Sequence, residues 1–275
     1  LVVIDEQHKF GVSQRDLLLR KGHFPHLLVM TATPIPRTLG LTLYGDLDCS
    51  VIDELPAGRG KINTYVRTPS SRDKIIAFLK EQVSSGRQAY VIFPRVENED
   101  PNIGIKAVKA ESKRLGKEFH THKVGILHGR LKPDEKAQVM AEFRENRIQV
   151  LLSTTVVEVG VDVPNANLML IENADQFGLA QLHQLRGRIG RGEHESYCIL
   201  LTTDKSNHPN ERLKVLEETN DGFKVAEADL QLRGPGELTG HDQSGLPNFL
   251  FGDLRSDLDL IQLARNLARE IEAGS

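Results

Sequence analysis

Tryptophan is absent from this chain of 275 residues, and aromatic residues make up only 5% of it. Aromatic side chains are the platforms on which unpaired bases stack, so a protein that grips single strands mainly by stacking is disfavoured. Only two cysteines occur, Cys49 and Cys198, and they lie far apart in apolar runs. This arrangement argues against a disulfide framework and favours two buried, reduced thiols.

The chain also lacks a long apolar run and a strong net charge. No run reaches the length of about 20 residues that a membrane-spanning helix needs. The formal net charge is −3, so the overall charge does not indicate nucleic acid, although a local basic track can bind DNA without it. With 39% hydrophobic and 27% charged residues, the composition is that of a globular protein with one large domain or two smaller ones.

The most informative segment is Gln181–Arg191, which contains the pattern Gln-x-x-Gly-Arg-x-x-Arg. Its last two basic positions, Arg188 and Arg191, are three residues apart, so we expect them on one face of a helix. A guanidinium is a planar, permanently charged fork that suits phosphate oxygens. Nucleotide hydrolysis needs such a charge at the γ-phosphoryl group. Taken alone, the segment is also compatible with a basic surface helix.

Two apolar runs near the amino terminus each lead into polar residues. The first run precedes Asp5 and Glu6, and the second precedes Thr31 and Thr33. Such runs predict buried parallel strands, and open α/β sheets bind ligands at the carboxyl ends of their strands. Asp5 is a candidate ligand for Mg²⁺, and Glu6 is placed to orient or deprotonate a water molecule. An acidic turn and an ordinary strand-to-helix turn are the alternatives.

The rest of the chain divides by its hydrophobic pattern. Residues 62–204 alternate between strands and helices, including a helix at Arg72–Ser84, which predicts a parallel sheet. Residues 57–61 are small, basic and glycine-containing, as in a linker. Residues 205–275 predict a helical hairpin, a loop rich in glycine and proline, and a terminal helix.

Taken in order, five segments resemble the late motifs of superfamily 2 helicases. Asp5–His8 resembles motif II, the Walker B element, and Thr31–Thr33 resembles motif III. Ser153–Pro164 resembles motif V, and Gly125–Leu131 resembles the motif before it. Gln184–Arg191 resembles motif VI. The ordered set is far more specific than any one of its members.

Further segments narrow the resemblance to the RecG family of bacterial branched-DNA helicases. One such segment is Ile52–Pro56. A second is the translocation motif that RecG shares with the Mfd family, which is resembled by Asp229–Glu237 followed by Gln243–Gly245. An Mfd-like translocase of double-stranded DNA is therefore an alternative, although Gln7 and Ile52–Pro56 favour RecG. One departure is His241-Asp242, where the family usually has a basic residue.

The resemblance implies an α/β fold, the RecA-like parallel-sheet fold of P-loop NTPase helicases. Residues 1–56 would be part of a first such domain, 57–61 the linker and 62–204 a complete second domain. Residues 205–275 would form the helical hairpin, the translocation element and the terminal helix. ATP would lie in a cleft between the two RecA-like domains, and movement about the linker would drive translocation.

The resemblance also implies ligands, partners and site residues. ATP and Mg²⁺ are the expected cofactors, and branched double-stranded DNA is the expected partner, with single-strand-binding protein as a further candidate. A bacterial cytoplasmic location without membrane association is expected. Catalytic roles fall on Asp5, Glu6, Arg188 and Arg191, with Mg²⁺ on Asp5. Nucleotide contacts are expected from Asp5, Gly160, Asp162, Gln184, Arg188 and Arg191. Contacts with DNA or coupling roles are expected from His8, Thr31, Thr33, His128, Thr154, Thr155, Arg233 and Gln243.

The family's Walker A loop, Gly-x-x-x-x-Gly-Lys-Thr/Ser, does not occur in this sequence. Its backbone N–H groups and its lysine are the main ligands of the β- and γ-phosphates. The chain is therefore predicted to be the carboxyl-terminal part of a helicase, with little ATP hydrolysis of its own. A non-catalytic module that binds DNA or a partner protein is the other alternative.

Overall fold

A computed structural model of the chain contains two compact units, residues 52–220 and residues 1–51 with 221–275. The structure describes 1–5, 17–18, 20, 25–31, 50–52, 54, 60–94, 102–119, 121–154, 162–204, 210–233, 260, 263–264, 267–268 and 270–271. Within these ranges, no helix combines the length and the apolar character needed to cross a bilayer.

The smaller unit contains a pair of parallel strands, β1 (Val2–Asp5) and β2 (Leu27–Met30). Their register places Asp5 opposite Met30, so both strands end at the same level. The pair buries Ile4 but leaves Val3 and Leu28 about half exposed. The strands therefore present their carboxyl-terminal residues side by side.

The larger unit is built on a six-stranded sheet in which every pairing is parallel. Its strands are β3 (Ile62–Arg67), β4 (Gln88–Phe93), β5 (Val124–Leu127), β6 (Val150–Thr154), β7 (Ala166–Ile171) and β8 (Ser196–Leu201). They lie in the order β3-β8-β7-β4-β6-β5. Strands β4, β6 and β7 are buried along their whole length, as expected for central strands covered on both faces.

Helices cover both faces of this sheet. The helices of the larger unit are α1 (Arg72–Ser84), α2 (Asn102–Glu118), α3 (Pro133–Arg144), α4 (Leu179–Arg186) and α5 (Glu211–Glu218). Leu79 of α1 and Leu115 of α2 pack with Val91 and Leu152 in one core. Because side chains alternate along a strand, Tyr90 faces the other way, where its ring lies 4.9 Å from that of Phe143 in α3.

A buried ion network joins helices α1 and α2 to the carboxyl end of β7. Arg72 donates to Glu172 at 2.5 Å and to Glu111 at 2.7 Å. Burial raises the pKa of Glu172, and the neighbouring charge of Arg72 acts in the opposite direction. Since Glu172 is 5% exposed, its ionised form depends on this partner.

The predicted parallel α/β fold is confirmed, and several elements match their predicted limits. Helix α1 spans the predicted residues Arg72–Ser84. It ends there because Gly86 adopts φ +87°, which lets the N–H of Arg87 reach the carbonyl of Gln82. The two helices predicted to form a hairpin are present as α5 and, in the smaller unit, α6 (Gly222–Arg233), and their packing as a hairpin stays a prediction. The domain limits at 57–61 and 204 stay predictions.

Replacing Leu79 by alanine is expected to lower the free energy of unfolding by about 2–5 kcal/mol, because the side chain is fully buried. Urea unfolding of the chain measures this effect. The control is Lys74→Ala on the exposed face of the same helix, for which a change within about 0.5 kcal/mol is expected. Equal effects of the two substitutions would contradict the described packing.

Candidate functional site

The two predicted arginines lie in a turn that follows helix α4, not on the helix. Helix α4 ends at Arg186, and Gly187 forms its carboxyl-terminal cap. Gly190 has φ +74°, which an α-helix does not allow. The expectation that Arg188 and Arg191 share one helical face is therefore wrong, because the helix ends before both arginines and Gly190 lies between them with a positive φ. We call residues 187–192 the arginine turn.

Arg191 is held in this turn by two contacts. Its Nε donates to the carbonyl of Gly187 at 3.3 Å, and its Nη1 lies 3.8 Å from Oδ1 of Asp162. The two side chains are 33% and 55% exposed, so the pair is open to solvent. An open ion pair contributes little to stability but orients the guanidinium. The structure thus brings together two residues that the sequence analysis assigned to nucleotide contact.

Tyr90 is close enough to this group to interact with it electrostatically, although sequence analysis did not select it. Its side chain is 1% exposed, and burial raises its pKa well above the usual value. Arg188, Arg191 and Asp162 all act on it electrostatically, the two arginines lowering its pKa and the carboxylate raising it. The phenol is therefore neutral and adds no negative charge near the two arginines.

Arg186, just before the arginine turn, is a buried cation that anchors α4 to α5. It is 3% exposed, and its Nη1 donates to the carbonyls of Leu216 at 2.7 Å and Thr219 at 2.9 Å. Its Nη2 lies 2.9 Å from Nδ1 of His183. The carbonyls at the end of a helix carry the negative end of its dipole, so they stabilise a positive charge. Burial nevertheless lowers the pKa of Arg186.

Two of the residues predicted to contact DNA lie at the other end of the larger sheet, away from the arginine turn. His128 follows β5 and Thr154 ends β6, and these two strands pair with Leu127 opposite Ser153. His128 is 9% exposed and Thr154 is 6% exposed. Asp162 and Arg191 instead precede β7 and β8. Because all strands of this sheet are parallel, Asp162 and Arg191 lie at its amino end, whereas His128 and Thr154 lie at its carboxyl end.

In the smaller unit, Asp5 ends β1 and Thr31 follows β2, so the paired strands place them at the same end. A solvent-exposed carboxylate fits Mg²⁺, which takes one or two carboxylates and fills its other positions with water and phosphate oxygens. Within the described residues, no group of three or more histidine, cysteine or acidic residues could hold a metal ion. The exposed position of Asp5 at the end of β1 is the feature that fits an ion shared with a nucleotide.

Six predicted site residues fall outside the described part of the chain: Glu6, His8, Thr33, Thr155, Gly160 and Gln243. Arg233 is the last residue of α6. Gln184 is half-buried in α4, one turn before the arginines. The roles assigned to all these residues stay predictions.

Sequence analysis also missed Arg186 and Arg212. Arg212 of α5 donates to the carbonyls of Phe177 at 2.7 Å and Asp175 at 2.6 Å, which fixes α5 to the segment before α4. The sequence did indicate that Arg186 is buried. It follows Leu179 and Leu182 at helical spacing, so it lies on the apolar face of the same helix. A charged residue on such a face indicates a buried partner.

Replacing Arg186 by alanine is expected to lower the free energy of unfolding by about 2–4 kcal/mol, because it leaves the carbonyls of Leu216 and Thr219 without their donor. Arg147→Ala is the matched control, since this arginine is 59% exposed and pairs only at the surface with Glu145. For the control we expect a change of about 0.5 kcal/mol or less. Urea unfolding distinguishes them, and a fully stable Arg186→Ala chain would refute the anchoring role.

Comparison with known proteins assigns this architecture to a family. The family model for the helicase conserved C-terminal domain matches residues 71–193. The model for domain 3 of the ATP-dependent DNA helicase RecG, C-terminal part, matches residues 219–273. The first match covers most of the six-stranded sheet and the arginine turn, and the second covers α6.

Curated relatives extend the similarity over nearly the whole chain. RecG of Synechocystis sp. is 55% identical over 269 residues, which are 98% of this chain and 32% of the relative. RecG of Bacillus subtilis is 51% identical over 274 residues, 99% of this chain and 40% of the relative. The chain thus spans between a third and two fifths of the length of these proteins.

Solved structures agree with this assignment. A structure of RecG bound to a three-way DNA junction matches with a TM-score of 0.71 and 46% identity, over 95% of this chain and 33% of that one. Dbp5 of S. cerevisiae, bound to RNA and ADP BeF3, matches at 19% identity with a TM-score of 0.51, over 84% of this chain and 56% of that one, and supports the fold alone. The fold is thus RecA-like, and the chain belongs to the RecG family of ATP-dependent DNA helicases.

Proposed function

We propose that this chain is the carboxyl-terminal motor part of an ATP-dependent helicase that translocates on branched double-stranded DNA. The observation that carries the proposal is the arginine turn, in which Arg191 lies 3.8 Å from Asp162 and follows the anchored Arg186. Membership in the RecG family supports the substrate class, since one relative was solved on a three-way DNA junction. Stalled forks and Holliday junctions are the proposed substrates.

In this function, Arg188 and Arg191 stabilise the negative charge that develops on the γ-phosphoryl oxygens of ATP. A guanidinium contributes there only if it is oriented before the reaction, because reorientation would add to the barrier. The carboxylate of Asp162 and the carbonyl of Gly187 restrict the Arg191 guanidinium in this way. Gln184 and Gly160 are proposed to complete the nucleotide contacts.

Asp5 is proposed to hold the magnesium ion of the nucleotide, with Glu6 orienting the attacking water. A Mg²⁺ held by Asp5 would supply positive charge to the phosphates of the nucleotide. The position of Asp5 at the carboxyl end of β1, beside the end of β2, supports this assignment. Thr31 and Thr33 are proposed to relay the state of the phosphate from the neighbouring strand.

DNA contact is proposed for the carboxyl end of the larger sheet, with His128, Thr154 and Thr155. His128 and Thr154 end adjacent strands, which supports a common role. His8 is proposed to couple hydrolysis to DNA contact in the smaller unit. Arg233, at the end of α6, and Gln243 are proposed to contact the duplex during translocation. Single-strand-binding protein is a further proposed partner.

The test is ATP hydrolysis by the complete gene product that contains this sequence, with Mg²⁺ and a synthetic DNA fork. Arg188→Ala is expected to lower kcat by about three orders of magnitude, the effect of removing an arginine finger, while fork binding stays unchanged. Arg144→Ala, an exposed arginine on α3, is the control and is expected to keep kcat. Equal losses in the two variants would contradict the proposal.

A second experiment distinguishes a motor that hydrolyses ATP from a module that only binds DNA. The 275-residue chain alone is expected to hydrolyse no more ATP than its Glu6→Gln variant, because it lacks the phosphate-binding loop. Fork binding by the complete protein without any hydrolysis would favour the non-catalytic module. Fork-stimulated hydrolysis by the isolated chain would show that other residues hold the phosphates.

A further inference from the structure

Three segments of the larger unit meet through their backbones beside the arginine turn. They are the entry to β3 around Gly60, the loop of Asp162 and Pro164 before β7, and the end of the turn at Gly192. The N–H of Gly60 donates to the carbonyl of Gly192 at 3.1 Å. We call this three-way contact the glycine joint.

The glycines allow an approach that any other residue would prevent. A Cβ atom at Gly192 would lie 2.6 Å from the carbonyl oxygen of Pro164. A Cβ atom at Gly60 would lie 2.4 Å from the carbonyl oxygen of His194 and 2.9 Å from that of Gly192. Each neighbour is a backbone atom, so no change of rotamer relieves the overlap, and the segments themselves would have to separate.

Gly190 adds a second constraint within the same turn. Its φ of +74° is a conformation that side chains with a Cβ rarely adopt. A Cβ atom there would lie 2.6 Å from Cγ1 of Ile62, the first residue of β3. The turn is thus shaped by its own backbone and pressed against the start of the strand that follows Gly60.

The glycine joint lies next to the ion pair of Arg191 and Asp162 and holds the segments that carry the two charges. Arg191 immediately precedes Gly192, and Asp162 lies two residues before Pro164, so the two charges sit on the two segments that meet at Gly192. Their separation of 3.8 Å is set by backbone contact, because the pair itself is open to solvent and weak. The N–H of Gly60 attaches the turn to the entry of β3 through the carbonyl of Gly192, and the next residue, Lys61, accepts from the N–H of Ser196 at the start of β8.

We propose that Gly192 and Gly60 are positioning residues, which hold the arginine turn against the Asp162 loop and against the entry to β3 through direct backbone contact. A displacement of the turn by a bound phosphate is then passed to Gly60 without an intervening side chain. The catalytic consequence of this joint rests on the proposed function, whereas the joint itself does not.

The substitution that tests the joint is Gly192→Ala in the complete gene product. Gly116→Ala in α2 is the control, because it makes the same substitution at a position where a Cβ atom would meet nothing within 4 Å. Thermal unfolding of both variants identifies a temperature at which each is folded.

Two measurements are then made at that temperature. Gly192→Ala is expected to lower kcat for ATP hydrolysis by about 10- to 100-fold, as small misplacements of catalytic groups do, with KM and fork Kd unchanged. The amide hydrogen of Gly60 is expected to exchange about tenfold faster in this variant, because its acceptor moves. Gly116→Ala is expected to change neither quantity.

The results of these measurements distinguish a failure of the glycine joint from a failure of the proposed function. Unchanged exchange at Gly60 in Gly192→Ala, or an equal loss of kcat in Gly116→Ala, would overturn the positioning role. If the unaltered protein hydrolyses no ATP, the proposed function fails, while the exchange of Gly60 still decides whether the joint exists.

Discussion

The constraint on which the rest of this structure depends is that all six strands of the larger sheet run in the same direction. Every chain connection must cross from the carboxyl end of the sheet back to its amino end, so the two ends receive different loops. Asp162 and the arginine turn lie on segments that enter strands, whereas His128 and Thr154 lie where strands end. Two groups of polar residues are thereby kept apart by a core buried on both faces.

Around the arginine turn, the buried hydrogen bonds and the exposed ion pair have different physical effects. The buried contacts of Arg186 with the end of α5 contribute stability, because breaking them would leave carbonyls without a donor in the protein interior. The pair of Arg191 and Asp162 is exposed and contributes orientation. A guanidinium that must leave one partner for a phosphate is better served by a weak contact on a rigid backbone than by a strong one.

Much of the fold followed from hydrophobic pattern. The alternation of strands and helices between residues 62 and 204 predicted the parallel sheet, and α1 has the predicted limits because Gly86 ends it. The arginine pattern was recognised but its conformation was predicted wrongly. Spacing alone suggests a helix, whereas the helix ends at Arg186 with Gly187 as its cap, and Gly190 between the two arginines has a positive φ.

The sequence by itself determined the family, the elements and the identity of most candidate side chains, because these depend on local pattern and ordered motifs. Only the tertiary structure decided which of them meet. It placed Asp162 beside Arg191, brought Tyr90 into electrostatic interaction with both and buried Arg186 against α5. These contacts join residues far apart in the chain, and their geometry is set by strand register and backbone packing, which no short segment encodes.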